Sequence, residues 1–142
     1  MNERFAHELQ AGDEFAPLEF DVTPELNQQF LFALGIFERR YWEASTAGPP
    51  LVHPVIFLHH SPRTRSPSYR LAPRMGSVFA RDRAEFLNVG RVGERFRVTW
   101  QITASYEKRG RIFQDYQAEI VDEKGLPILR RDMSSAFVTG GP

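Results

Sequence analysis

A histidine at the start of a predicted helix is the best candidate in the sequence for acid–base chemistry. His53 stands directly before Pro54, and proline is favoured at the first position of a helix. The first amide groups of a helix have no partners within it, so they can polarise a carbonyl oxygen held near them. An imidazole, with an ordinary pKa of about 6.5, can move a proton near neutral pH. We therefore expect His53 to be catalytic; the alternative is a structural histidine held by a hydrogen bond.

Two further side chains, Tyr41 and Glu43, precede His53 on a short segment that is also predicted to be helical. A phenol and a carboxylate can both transfer protons when a site positions them. Tyr41 and Glu43 are therefore the other catalytic candidates. The alternative is that they lie at the edge of the core or on the surface, where residues of these types are common.

Metal chemistry is not favoured, although His53, His59 and His60 lie within eight residues of one another. On a helix His59 and His60 point about 100° apart, and His53 and His60 stand about 10 Å apart, so no such pair can ligate one small ion. The chain also lacks an HExxH motif, a Gly-x-Ser-x-Gly elbow, a phosphate loop and any cysteine. The sequence predicts no metal site and no cofactor.

The composition is that of an ordinary globular protein. The chain has 142 residues, of which 42% are hydrophobic, and its 18 basic side chains balance 18 acidic ones. Its longest apolar run, residues 30–37, is far shorter than the roughly 20 residues that cross a bilayer. The first residues carry charges of both signs where a secretory signal has an apolar stretch. We expect a single cytoplasmic domain spanning residues 1–142.

Charge is distributed unevenly along the chain. Residues 1–50 hold 3 basic and 9 acidic side chains, whereas residues 51–142 hold 15 and 9. The basic excess is concentrated in arginines, whose planar guanidinium binds phosphate or carboxylate more specifically than lysine does. A phosphate-bearing ligand or an acidic carrier protein could be bound there, or the segment could be a solvated loop. These arginines are Arg63, Arg65, Arg70 and Arg74.

The first half of the chain predicts a strand and three helical segments. Residues 14–22 are predicted to be extended. Thr23 and Pro24 then form a helix start, and the helix runs to about Gly35. A turn of helix follows at residues 39–44, and the next helix, residues 54–60, is apolar almost all round, which predicts burial at the centre of the domain. The buried face of the first helix is predicted from its apolar spacing to comprise Leu26, Phe30, Ala33, Leu34 and Phe37.

The second half changes to a period of two, which is typical of strands. Strands are predicted at residues 77–87, 95–106, 111–121 and 126–138. The turns before the last two strands end in Gly110 and Gly125, as tight hairpins require. We expect an antiparallel meander of these four strands, with one face covered by the apolar helix.

Several motifs stand in order along the chain. They are Thr23-Pro24-Glu25, Tyr41-Trp42-Glu43, residues 48–54, Phe86-Leu87, Val92-Gly93-Glu94 and residues 106–111. Of these, the hairpin Tyr-Glu-Lys-Arg-Gly-Arg and the Val-Gly-Glu turn are moderately specific. This order of elements resembles the MaoC-like hotdog proteins, and most closely their N-terminal dehydratase-type domain. The resemblance covers about residues 10–138.

The resemblance implies an α+β hotdog fold, in which a curved antiparallel sheet wraps a long central helix, and it implies assembly as dimers. It also implies (R)-specific hydration of enoyl thioesters, or the reverse dehydration, on coenzyme A or acyl-carrier-protein substrates. The catalytic pattern of the family is an Asp followed five positions later by a His. Those positions carry Ile36 and Tyr41 here, so neither residue of the dyad is retained. Heteromeric members pair a subunit lacking the dyad with one that has it.

The resemblance therefore favours an acyl-thioester-binding hotdog protein that takes part in enoyl hydration or dehydration as half of a homodimer or heterodimer. The thioester oxygen would face helix amides such as that of Val55, because Pro54 has no N–H. Arg63, Arg65 and Arg74 would contact coenzyme A phosphates or an acidic carrier protein, and His53 or Tyr41 would carry any remaining proton transfer.

Two other interpretations stay open. The chain could be a non-catalytic subunit whose apolar helix and strand faces build a channel for its partner. Helix-then-meander patterns also specify cone-shaped α+β enzymes or ligand carriers, such as cyclase-like domains. We expect no nucleic-acid partner, because the chain is not basic overall, and no membrane partner.

Overall fold

The computed structural model describes residues 4–63, without the side chain of Arg63, and residues 69–140. A 3₁₀ turn at Ala6–Glu8 precedes β1 (Leu18–Asp21), and three helices follow: α1 (Pro24–Leu34), α2 (Arg39–Trp42) and α3 (Pro54–Arg63). Four long strands complete the chain, β2 (Met75–Phe86), β3 (Arg95–Lys108), β4 (Arg111–Asp122) and β5 (Pro127–Thr139). Within the described residues, no helix is both long and apolar enough to pass through a membrane.

The limits of α1 are those predicted from its caps. The Thr23 side chain accepts a hydrogen bond from the Leu26 amide at 3.1 Å, and Pro24 occupies the first turn. Gly35 ends the helix with φ of 68°, a left-handed conformation that costs a residue with a side chain more than it costs glycine. These three residues fix both ends of α1 through local interactions.

The predicted buried face of α1 is wrong. Asn27 and Leu31 are buried, Leu26 and Phe30 are half-buried, and Ala33, Leu34 and Phe37 are exposed. The reason is that α3, not α1, covers the sheet. Helix α1 can then bury only a narrow line of residues four positions apart. Phe32, which is 74% exposed, and Phe37, which is 67% exposed, also face away from the core.

The strands form one antiparallel sheet in the order β1-β3-β4-β5-β2. The predicted limits of the four long strands are confirmed to within two residues, but the predicted four-strand meander is wrong. Only β3, β4 and β5 are consecutive neighbours, whereas β2 pairs with β5 at the far edge. Strand β1 takes the edge of β3 that β2 would need, with Leu18 opposite Val98. The first strand is also shorter than residues 14–22, because Pro17 lacks a donor for the ladder.

The connection between β2 and β3 shows why these two strands do not form a hairpin. The Val52 amide donates to the Gly90 carbonyl, and the Val92 amide donates to the Pro50 carbonyl. Gly90 is buried against Phe57 and Phe96, so closely that a Cβ would lie 2.7 Å from both rings. The segment is therefore tied to residues 50–52 and to the core, instead of turning back on β2.

Helix α3 packs on the inner face of the sheet. Ile56 and Phe57 are buried, and the Phe57 ring meets Phe96 of β3 edge-on at 4.9 Å. The helix is three residues longer than predicted, and it is not buried all round, since His59 is exposed. The alternation predicted for β3 is confirmed for Phe96, Val98, Trp100 and Ile102, which are all buried. The hairpin after β3 is the predicted two-residue turn, with positive φ at Arg109 and Gly110.

Candidate functional site

Tyr41 is buried on α2, a helix of one turn. Its ring lies edge-on to the ring of His53, with 4.8 Å between centroids. The Arg40 guanidinium covers the phenol ring at 4.9 Å, a cation–π contact. The structure thus brings together two of the three predicted catalytic residues, although they are twelve positions apart in the chain.

His53 is the residue that caps α3. Its Nδ1 accepts a hydrogen bond from the Val55 amide at 3.1 Å, and its carbonyl accepts one from the Ile56 amide at 3.0 Å. An acceptor Nδ1 carries no proton, so the neutral ring has its proton on Nε2. Burial lowers the pKa of His53 below its ordinary value; Glu38 acts in the opposite direction and Arg40 in the same one. The fold therefore favours one neutral tautomer.

A cavity of about 270 Å³ opens beside this pair. Tyr41 lies in its wall, and His53 stands between two other wall residues, Val52 and Pro54. The wall is mainly apolar, with Arg40 and Asn88 as its other polar members. The full lining is Arg40, Tyr41, Leu51, Val52, Pro54, Phe57, Phe86, Leu87, Asn88 and Val89.

Two donors of the Tyr41–His53 pair are not engaged by the residues that the structure describes. Among the residues that the structure describes, neither the Tyr41 hydroxyl nor His53 Nε2 has a hydrogen-bond partner. Both can donate to an oxygen atom, and such donors stabilise negative charge that develops on a carbonyl. Because Nδ1 is occupied, neutral His53 can donate a hydrogen bond through Nε2 but has no free nitrogen to accept a proton.

Of the remaining predicted site residues, Val55, Glu43 and Arg74 are not in the cavity lining. The Val55 amide is engaged by His53, which leaves it no hydrogen directed at a ligand in this arrangement. Glu43 is exposed and forms an ion pair with Arg39 at 2.9 Å. Arg74 is exposed and precedes Met75, the first residue of β2. The cavity residue Phe86 is at the other end of that strand, about 36 Å from Met75 at 3.3 Å per residue. Arg65 is outside the described residues, and Arg63 is described only as the end of α3.

Sequence reasoning missed two polar residues of the cavity. Arg40 is adjacent to Tyr41, so a basic residue beside a candidate phenol was an available signal. Asn88 and the apolar residues around it had no such signal, because they reach the cavity through the connection after β2. Across the described ranges, no group of three or more His, Asp or Glu residues is placed to hold a metal ion.

Comparison with known proteins places this architecture. No protein family and no curated protein matches the sequence. Solved structures match at low identity and high coverage. The (R)-hydratase PhaJ1 from Pseudomonas aeruginosa is 12% identical with a TM-score of 0.75, over 95% of this chain and 90% of that one. A MaoC-like dehydratase from Rhodospirillum rubrum is 16% identical with a TM-score of 0.73, over 98% and 99%. The chain has the hotdog fold of the MaoC-like proteins.

A third match to the hotdog fold is a complex of two chains. The HadBC complex from Mycobacterium tuberculosis, a (3R)-hydroxyacyl-ACP dehydratase, is 14% identical with a TM-score of 0.69, over 92% of this chain and 98% of that one. The fold expected from the sequence motifs is therefore confirmed, and with it the resemblance to MaoC-like hotdog proteins.

The two positions at which the resemblance expects the catalytic dyad, Ile36 and Tyr41, lie in different surroundings. Ile36 lies in the loop after α1, where its backbone is held: its amide donates to Leu31 and its carbonyl accepts from the Trp42 indole at 2.7 Å. An isoleucine side chain cannot transfer a proton. Tyr41, which the resemblance places at the other position, lies in the cavity lining.

Proposed function

We propose that this chain binds acyl thioesters of coenzyme A or acyl carrier protein, and takes part in enoyl hydration or dehydration as half of a hotdog pair. The observation that carries the proposal is the mainly apolar cavity lined by Tyr41, whose ring lies edge-on to His53. The Tyr41 hydroxyl and His53 Nε2 have no hydrogen-bond partner among the described residues. Apolar walls suit an acyl chain, and a small number of polar groups fixes its orientation. Three similar folds belong to proteins whose names include hydratase or dehydratase activity.

The chemistry of hydration assigns a role to each donor. Water adds its oxygen to Cβ of the enoyl thioester and a proton goes to Cα, while negative charge develops on the thioester oxygen. Tyr41 and His53 would donate hydrogen bonds to that oxygen. The proton that a base takes from water would go to Cα. That base would not be His53, because its Nδ1 is occupied and loss of the Nε2 proton from a neutral imidazole would leave an imidazolate.

A non-catalytic, channel-forming role is the second candidate, and a specific feature favours it. Hydration needs a base that takes a proton from water. Position 36, where the family has an aspartate, carries an isoleucine here, and the Val55 amide occupies Nδ1 of His53. In a heteromer, a second hotdog chain would supply the base, and this chain would hold the acyl group.

The test is an enoyl hydration assay on the purified protein with crotonyl-CoA, with the mass determined by size exclusion on the same sample. We expect crotonyl-CoA to bind, and His53→Ala and Tyr41→Phe to weaken binding or lower turnover without unfolding the protein. His59→Ala, an exposed histidine on the same helix, is the matched control.

The outcomes separate the two candidates. Hydration by a homodimer supports a catalytic role for this chain alone. Binding without hydration supports the channel-forming subunit, and the assay is then repeated with a dyad-containing hotdog partner. A folded protein that does not bind crotonyl-CoA contradicts the proposal, and full activity of His53→Ala contradicts the role of that residue.

A further inference from the structure

Asn27 is a buried amide on the inward line of α1. Its side chain is 3% exposed, and Leu31, one turn further along, is fully buried. A buried amide costs free energy unless its hydrogen bonds are made, and leucine would fill a similar volume without that cost. A role that needs the amide would explain why a polar residue occupies this position.

The amide of Asn27 is used on one side only. Its Nδ2 donates to the Tyr41 carbonyl at 2.9 Å, in a buried hydrogen bond. Its Oδ1 is buried and has no partner among the described residues. An unpaired buried acceptor destabilises the fold. Among the described residues, the bond to the Tyr41 carbonyl is the hydrogen bond that offsets this cost for the Asn27 side chain.

Helix α2 cannot fix the position of Tyr41 by itself. It has four residues, and a helix of one turn is unstable without tertiary contacts. Among the described residues, three hydrogen bonds connect α2 to residues beyond its two flanking positions. The Leu51 amide donates to the Arg40 carbonyl, the Trp42 indole donates to the Ile36 carbonyl, and the Asn27 side chain donates to the Tyr41 carbonyl. Among these, the bond from Asn27 is the one that ends on Tyr41 and is buried.

We propose that Asn27 is a positioning residue for Tyr41. By holding the Tyr41 carbonyl, Asn27 keeps the phenol ring edge-on to His53 and the hydroxyl at the wall of the cavity. The consequence for a bound thioester rests on the proposed function. The placement of Tyr41 against His53 does not, so it can be tested without a ligand.

The first test is NMR of the His53 ring protons, which the Tyr41 ring shifts by its ring current at a centroid distance of 4.8 Å. Tyr41→Leu gives the chemical shifts of the His53 ring protons in the absence of the Tyr41 ring current. Asn27→Asp keeps the size of the side chain but has no N–H donor, and Asn27→Leu is apolar. We expect both to lose most of the ring-current shift. Gln28→Leu, an exposed position on the same helix, is the control and should keep it.

Folded Asn27 variants whose His53 resonances stay at the wild-type positions would overturn the proposal. Thermal unfolding of each variant checks the fold. If Asn27→Asp and Asn27→Leu both lose cooperative unfolding while the control keeps it, Asn27 serves the stability of the fold as a whole, and the positioning role is likewise overturned.

The second test is the affinity for crotonyl-CoA. The loss of one well-placed hydrogen bond should weaken binding by about fivefold in Asn27→Asp, with Gln28→Leu unchanged. Wild-type protein that does not bind crotonyl-CoA contradicts the proposed function, and the NMR result then decides the role of Asn27 independently. Binding that is unchanged in a folded Asn27→Asp, despite a displaced His53 resonance, would overturn the link to the ligand.

Discussion

The imidazole of His53 uses one ring nitrogen for its own helix. Nδ1 accepts a hydrogen bond from the Val55 amide, as an N-cap side chain does, while Nε2 has no hydrogen-bond partner among the described residues. Protonation of Nδ1 would remove this cap and place a charge in a half-buried position. The protonation state of His53 therefore affects both the stability of α3 and the ring that lies against Tyr41.

This link predicts a pH dependence of stability. Because burial lowers the pKa of His53 in the folded protein, the unfolded chain takes up the proton first as the pH falls. The contribution is intact above the unfolded pKa of about 6.5 and is lost as the pH falls from there towards the folded pKa. Thermal unfolding measured from pH 8 to pH 5 should show this loss.

His53→Asn is the comparison, since asparagine can accept the Val55 amide and does not titrate. Its melting temperature should fall less between pH 7 and pH 5 than that of the wild type. Parallel curves for the two proteins would show that His53 does not carry the dependence.

At the scale of elements, α3 is held at both ends by different means. His53 caps its start, and a buried arginine on β5 holds its end. Arg131 binds both carboxylate oxygens of Asp82 on β2, at 2.9 and 2.7 Å, and donates to the Leu58 carbonyl and the Ser61 hydroxyl. The Trp100 indole donates to the Ser61 carbonyl at 2.6 Å. These bonds fix the helix that forms one side of the cavity.

We expect Arg131→Met to destabilise the protein by about 2 kcal/mol or more, because it removes a buried charged donor to the Leu58 carbonyl and the Ser61 hydroxyl and takes away the partner of the Asp82 carboxylate. Urea unfolding measures the difference. Arg83→Met is the matched control: its pair with Glu85 is exposed, at 72% and 40%, and such pairs contribute little. Equal effects of the two substitutions would contradict the anchoring role of Arg131.

The ion pair between Arg131 and Asp82 predicts that stability falls in acid. The hydrogen bond from Arg131 is the main cause that lowers the pKa of Asp82 below its ordinary 3.8. Its contribution is present above that value and is lost as the pH falls through the lowered pKa. Asp82→Asn should remove this part of the acid dependence in unfolding measured below about pH 4, and an unchanged acid profile would contradict it.

The connection that separates β2 from β3 also has a testable requirement. An alanine at position 90 would place its Cβ 2.7 Å from the Phe57 and Phe96 rings, so two packed rings would have to move. Gly90→Ala should cost about 1–3 kcal/mol, as overpacked cores do. Gly76→Ala is the control, because its Cβ would meet Val138 at an ordinary 3.5 Å. Unfolding of Gly90→Ala at the wild-type urea concentration would refute the close packing.

At the scale of the whole molecule, apolar side chains remain uncovered in the single chain. The edge strand β2 exposes Val78 and Phe79, each at 53%, and Phe86 at 45%. An exposed edge strand with apolar side chains is a template for pairing with another chain. Phe86 also lines the cavity, so such a contact would adjoin the candidate site.

We expect the purified protein to have the mass of two 16.4 kDa chains, measured by size exclusion with light scattering. Val78→Lys should shift the mass to one chain, because a lysine on an edge strand opposes pairing. Leu126→Lys, a similarly exposed apolar residue in the β4–β5 turn, should leave the dimer intact. A dimer that persists in Val78→Lys would show that β2 is not the interface.

Local signals in the sequence determined the elements of this protein and two residues of its site. Thr23, Pro24 and Gly35 fix the limits of α1 through bonds between residues a few positions apart. The alternation along β3 and the glycine turns fix the strands. Tyr41 and His53 could be selected because a phenol and an imidazole near a helix start can do acid–base chemistry.

Only the tertiary structure decided how these parts combine. The order of the strands, the buried line of α1 and the cavity all depend on contacts between distant residues. Asn27 binds Tyr41 fourteen positions away, Trp100 binds Ser61 across 39, and Arg131 binds Asp82 across 49. Local propensity and periodicity describe a residue and its near neighbours, so they carry no information about which distant segment will meet it.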